Sequence, residues 1–169
     1  MTFSSELEIK IKKSHPDAVI PTYANPGDAG LDLVCVSRSA VVTHMGKDTE
    51  APEYFDLKYR EVYPEVKFVY NTGLSLEIPE GYYGKIVPRS SIHKKNLILC
   101  NHSAVIDSGY RGELKLFFKA YSLKNQEFYE VGDKVGQLLI LPYPKITFKE
   151  VKKLEASKRG TAGFGSTGK

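Results

Sequence analysis

The chain has 169 residues, enough for one domain with a full hydrophobic core. Lys and Arg number 24 against 20 Asp and Glu, a formal net charge of +4, which does not by itself call for a nucleic-acid partner. Two cysteines in this length exclude a disulfide framework, and no apolar run reaches membrane-spanning length.

The N-terminal stretch has no apolar signal core, so the expected location is cytoplasmic or nuclear, not secreted and not at a membrane. Residues 6–13 alternate strictly between polar and apolar, which predicts a half-buried strand. Residues 14–17 form a turn around Pro16, and residues 19–23 a short extended piece. A loop with Gly27 and Gly30 leads into a strand over residues 31–36, which contains Asp32 and Cys35. Cys35 and Cys100 both sit among apolar residues and read as buried free thiols. Residues 41–43 suit a strand and residues 44–52 a loop. The charged run to residue 65, with Tyr54, Phe55, Tyr59 and Tyr63, reads with that loop as an insertion over about 44–65.

Strand signals return at residues 66–70, 74–78 and 82–87. The only helix candidate is short, around residues 90–96. Residues 97–100 lead into residues 101–113, which predict a β-hairpin: Val105 and Ile106 run into the turn residues Asp107, Ser108 and Gly109, and the chain leaves through Leu114, Leu116 and Phe117. Strands continue to residue 121 and from Val135 to Leu141, and residues 147–154 alternate as a last strand. About a dozen short strands at regular spacing point to an all-β fold, a jelly roll or β-sandwich. The chain divides into a β domain over residues 1–156 and a Gly/Ser-rich tail over residues 157–169, which forms no packed element alone.

Four stretches carry candidate chemistry. Asp107 and Tyr110 place a carboxylate beside an aromatic in the predicted hairpin, although taken alone Asp107 and Gly109 read first as ordinary turn residues. Arg89, Ser90 and Ser91 put a guanidinium beside two hydroxyls at the start of the short helix, which suits an anion, or is a simple cap with a surface Arg. Asp32 inside an apolar strand and Gln137 before four apolar residues either face solvent at an edge or reach a metal and its waters. The tail sequence from Gly163 to Lys169 matches most of a phosphate-binding P-loop, but no helix can follow it. Its glycines, Ser166, Thr167 and Arg159 nonetheless suit a polyphosphate, and Phe164 stands without apolar neighbours, free to stack. The four histidines, His15, His44, His93 and His102, show no zinc-ligand spacing.

Five stretches in order resemble the motifs of the trimeric dUTPase family: residues 29–33 (AGLDL), 88–91 (PRSS), 104–113 (AVIDSGYRGE), 132–139 (GDKVGQLL) and 159–168 (RGTAGFGSTG). Thr72, Gly73 and residues 78–84 match its linking strands. The resemblance implies a jelly-roll homotrimer with shared active sites that hydrolyses dUTP to dUMP and pyrophosphate with Mg²⁺. By motif position it implies that Asp107 activates the attacking water as general base and that Tyr110 lies against the deoxyribose. Asn101, the backbone of Ala104, Val105 and Ile106, and that of Lys115 would read uracil. Arg89, Ser90 and Ser91 would hold phosphates, while Asp32 and Gln137 would bind waters around a Mg²⁺ carried by the substrate. Phe164 would stack on uracil from another subunit, with Arg159, Gly165, Ser166 and Thr167 on the outer phosphates. Three departures stand out: Ala104 and Gly136 replace the family's usual Gly and Ala, and the segment between Leu33 and Thr72 is longer than usual. The weighed alternatives are a dCTP deaminase of the same fold and a non-catalytic dUTPase-like regulator.

Overall fold

The computed structural model describes residues 6–44, 47–50, 66–121 and 127–162. Eleven strands lie among them: β1 Lys10–Lys13, β2 Leu31–Val34, β3 Ser37–His44, β4 Lys47–Glu50, β5 Val66–Asn71, β6 Leu74–Glu77, β7 Tyr82–Val87, β8 Leu97–Leu99, β9 Ala104–Ile106, β10 Lys115–Ala120 and β11 Lys134–Pro142. A 3-10 helix over Ser90–Lys94 is the helical element among these residues, where the sequence predicts its short helix. The strands form open sheets ordered β4-β3-β5-β10-β8 and β2-β11-β7-β9, plus the pair β1-β6.

All three sheets contribute to one core. Leu33, Ile86, Val135 and Leu138 come from one large sheet, and Tyr70, Leu99, Leu116 and Phe118 from the other; Leu74 and Leu76 come from β6. The pattern behind this is period two. Along β10, Leu116, Phe118 and Ala120 are buried while Lys115 is exposed. Tyr70, Phe118 and Tyr129 meet edge-on or tilted, with ring centroids 5.5–5.7 Å apart. Burial at this cluster pushes the Tyr70 phenol up to about 12. Cys35 is buried, and burial raises its thiol pKa too, as an inert core cysteine requires; Cys100 is partly exposed.

The structure corrects three expectations. First, residues 101–113 are not a paired hairpin. Strand β9 pairs with β7, whereas β10 pairs with β5 and β8, so the chain changes sheets across the Asp107 turn. Local sequence encodes a strand, a turn and a strand; it does not encode which neighbours they meet. Second, part of the expected loop over 44–52 is a strand: β4 pairs antiparallel with β3 and forms the edge of its sheet. Backbone pairing to a neighbour suffices for an edge strand, with no apolar pattern needed. The rest of that loop and the 51–65 part of the insertion lie outside the described residues. Third, residues 147–154 form no strand, because among the described residues no strand edge pairs with them. The first predicted strand is also shorter, since residues 6–9 precede β1.

Candidate active site

Two groups of side chains stand at opposite ends of one sheet. The first gathers where β7 ends and β11 begins. Gln137 pairs across the strands with Val87 on one side and Asp32 on the other. Arg89 follows two residues after β7 and returns its guanidinium to Asp32, with Nε 3.1 Å from Oδ1. Lys134 Nζ lies 2.8 Å from Asp32 Oδ2, and the Gln137 amide donates to Oδ1 at 3.3 Å.

Residues three apart on a strand normally face opposite ways. Here the register between β11 and β2 shifts between Lys134 and Gly136, and this bulge turns both Lys134 and Gln137 toward Asp32. Asp32 is thus neither a solvent-facing edge residue nor a metal ligand by itself; its side chain is only 14% exposed. Burial opposes its charge, but the Lys134 hydrogen bond, the Arg89 charge and the Gln137 amide win, holding the carboxyl below its ordinary 3.8. The cluster carries two cations on one anion, a surplus that an incoming polyanion can take up. Lys134 escaped the sequence reading because the bulge reverses its parity; a basic residue opening the strand that carries Gln137 was the only signal.

Ser90 and Ser91 begin the 3-10 helix beside Arg89. Ser90 is exposed and Ser91 half-buried, and the Ser90 carbonyl lies 2.7 Å from His93 Nδ1. Among the described residues, no group of three His, Cys, Asp or Glu side chains is placed to hold a metal alone. One ionised carboxylate and one amide fit a cation whose remaining ligands arrive on a phosphate chain.

The second group surrounds Asp107. Ile106 pairs with Gly84 and Ala104 with Ile86, so Asp107 leaves the sheet toward the start of β7, away from Arg89. Three residues of β7 separate the Gly84 and Val87 rows, about 10 Å. Ser108 and Gly109 accordingly line a groove with Pro79, Glu80 and Tyr143, at the end remote from Asp32. Asp107 is exposed, and its carbonyl accepts the Tyr110 N–H at 3.0 Å. The Tyr110 ring passes over Gly112, where a Cβ would overlap the phenol, and its hydroxyl donates to the Glu113 carbonyl at 3.2 Å. Val105 is exposed, and Ala104 and Ile106 are half-buried. Asn101 is exposed beside the left-handed His102, and Lys115 pairs with Asn71 at the start of β10.

In the tail, Arg159 is exposed and its Nε donates to the Ala162 carbonyl at 3.0 Å. Phe164, Gly165, Ser166 and Thr167 lie outside the described residues. One chain therefore brings Asp32, Arg89 and Gln137 together, and Asp107 with Tyr110 separately; it does not bring the two groups together.

A family model described as dUTPase matches residues 54–168. Curated relatives agree over nearly the whole chain. Deoxyuridine 5'-triphosphate nucleotidohydrolase of Escherichia phage T5 is 37% identical, covering 95% of this chain and 98% of the relative. The protein of the same name from Clostridium tetani is 36% identical, covering 98% and 99%. The chain belongs to the dUTPase family. Its activity is hydrolysis of dUTP. The fold agrees: a Staphylococcus bacteriophage 80alpha dUTPase mutant with dUpNHpp superposes with a TM-score of 0.71 at 23% identity, covering 95% of this chain and 98% of that one. The jelly-roll expectation is borne out, with sheets that stay open. No helix among the described residues is long and apolar enough to cross a membrane.

Proposed function

We propose that the chain cleaves dUTP between the α- and β-phosphates in a homotrimer whose active sites are each assembled from more than one subunit. The observation that carries this reading is the separation of the two groups. A phosphate-suited cluster at the Arg89 end and a carboxylate–aromatic turn at the Asp107 end serve one substrate only if neighbouring copies bring opposite ends together.

In this reading Arg89, Ser90 and Ser91 of one subunit bind the phosphate chain. Asp32 and Gln137 would hold the waters of a Mg²⁺ bound with the phosphates, and the cation would supply charge neutralisation at the phosphoryl oxygens. The neighbouring subunit's turn then holds the attacking water: the Asp107 carboxylate accepts its proton while oxygen approaches the α-phosphorus and pyrophosphate leaves. Tyr110 packs against the deoxyribose and leaves no room for a 2′-hydroxyl. Asn101 and the backbone of Ala104, Val105, Ile106 and Lys115 match the donors and acceptors of uracil. The tail, residues 157–169, covers the site with Phe164 on the base and Arg159, Gly165, Ser166 and Thr167 on the outer phosphates, excluding bulk water. Such a tail requires no packed structure of its own, which suits the composition of that stretch.

Uncovered apolar surface supports the trimer. Residues 143–154 expose Ile146, Val151 and Leu154, and Phe148 is 96% exposed. A stretch this apolar is normally covered, and among the described residues none covers it.

The test is pyrophosphate release with Mg²⁺ from dUTP, dCTP, dTTP and UTP, with and without EDTA. Release from dUTP alone, abolished by EDTA, is expected. Equal rates on all four, or full rates in EDTA, contradict the reading.

A further inference from the structure

Glu113 lies at the middle of a set of bonds that no role assigned so far explains. Its Oε1 accepts the N–H of Gly73 at 2.7 Å, and its Oε2 stands 3.5 Å from Lys115 Nζ. Gly73 is buried and left-handed, with φ +65°, in the link between β5 and β6. A Cβ there would stand 2.7 Å from the Cβ of His15, so neither the residue nor its place can change easily. Its N–H would be an orphaned buried donor without the carboxylate. Thr72 adds a second tie, with Oγ1 donating to the Leu114 carbonyl at 2.8 Å, and the Leu114 N–H a third, to the Leu74 carbonyl at 2.8 Å.

The same residue holds the aromatic side of the site. The Glu113 carbonyl accepts the Tyr110 hydroxyl, and the Tyr110 N–H closes the turn onto the Asp107 carbonyl. The chain of bonds runs from the core link at Gly73, through Glu113, to the Tyr110 ring and the turn. Tyr110 is itself half-exposed, so its hydroxyl tie bears on where the ring sits.

The geometry points to Glu113 as a positioning residue that fixes the Tyr110 ring and thereby sets discrimination between deoxyribose and ribose. This rests on the reading that Tyr110 excludes the 2′-hydroxyl. Glu113 touches no substrate; it acts by keeping the Tyr110 wall from giving way to an extra hydroxyl.

The experiment compares kcat/KM for dUTP and UTP in the full-length protein and in four variants: Glu113→Ala, Glu113→Gln, Tyr110→Phe and Tyr110→Ala. Tyr110→Ala is expected to collapse the dUTP/UTP ratio; an unchanged ratio would sink the sugar-wall reading itself. Given that collapse, Glu113→Ala is expected to lower the ratio about tenfold, mainly by raising kcat/KM for UTP. Glu113→Gln keeps an oxygen for the Gly73 N–H and is expected to restore most of it. Tyr110→Phe removes the hydroxyl tie on an exposed residue and should lower the ratio in the same direction; combined with Glu113→Ala it should add little further. If Glu113→Ala does not fold, the Tyr110→Phe and Glu113→Gln pair decides. A Glu113→Ala protein that melts earlier yet keeps the wild-type ratio, or a Tyr110→Phe protein with an unchanged ratio, overturns the assignment.

Discussion

Gly30 lies against the side-chain amide of Gln137: a Cβ built on Gly30 would stand 3.1 Å from Gln137 Cδ and 3.2 Å from Nε2. The amide occupies the space a methyl group would need, and it reaches Asp32 from there. Gly30→Ala therefore presses on the Gln137 amide, which must give by a few tenths of an ångström and so loosens its hold on Asp32, while the backbone keeps an ordinary conformation. Turnover of dUTP is expected to fall about tenfold or more, with a melting temperature close to wild type. Steady-state kinetics beside a thermal melt checks this, and an Ala variant with full turnover would remove Gln137 from the site.

The separation of the two groups predicts complementation. Asp107→Asn and Arg89→Ala proteins should each be nearly inactive. Unfolded together in equal amounts and refolded, they would form mixed trimers if the proposed trimer is the assembly. A site that takes Asp107 from one copy and Arg89 from another is intact in about a quarter of random pairings, so about a quarter of wild-type turnover should return. If both residues served from the same chain, mixing would restore nothing.

Asp32 sets a pH dependence of stability. Its folded pKa lies below the ordinary 3.8, so the ionised carboxylate is favoured by folding. That contribution is complete above about pH 4 and disappears as pH falls through the lower, folded value. At pH 7 Asp32→Asn should cost about 1–2 kcal/mol, discounted for partial exposure of Arg89 and Lys134. Urea melts of both proteins from pH 7 to pH 2.5 should converge at the acid end. A gap that persists unchanged would mean the loss is one of packing, not of charge.

Phe148 predicts an assembly defect. Phe148→Asp leaves this chain's own core untouched, because Phe148 makes no part of it. Light scattering should show trimers for wild type and smaller species for the variant, with dUTP turnover falling in parallel. A variant that stays trimeric and active would place the subunit contact elsewhere.

Strands β5, β6 and β7 were legible because alternation and turn residues are local signals, and Asp32 and Gln137 were visible as unusual polar groups in apolar surroundings, with Arg89 visible as a guanidinium beside two hydroxyls at a helix start. Partners were not legible. Lys47–Glu50 has no apolar pattern and is a strand only because β3 lies beside it. Residues 147–154 have the pattern and no strand beside them among the described residues. Lys134 meets Asp32 only because of a bulge, and a bulge leaves no mark in periodicity. Gly136, a minor departure when read as a letter, proves to be filled space: a Cβ there would meet Leu116 Cδ2 at 2.5 Å, so the Leu116 side chain occupies the space an Ala would need.

The change of sheets at the Asp107 turn has a mechanical consequence. Ile106 is bonded into one layer through Gly84, and Leu116 into the other through Tyr70, so the segment between them is anchored to two bodies. Sliding or spreading of the layers cannot be absorbed within either sheet and must appear in that segment. The turn then behaves as a strain gauge for the domain. A core substitution such as Phe118→Leu, or heating short of the melt, is expected to disturb the setting of Asp107 and, if Asp107 is the proposed base, to lower dUTP turnover before any strand is lost.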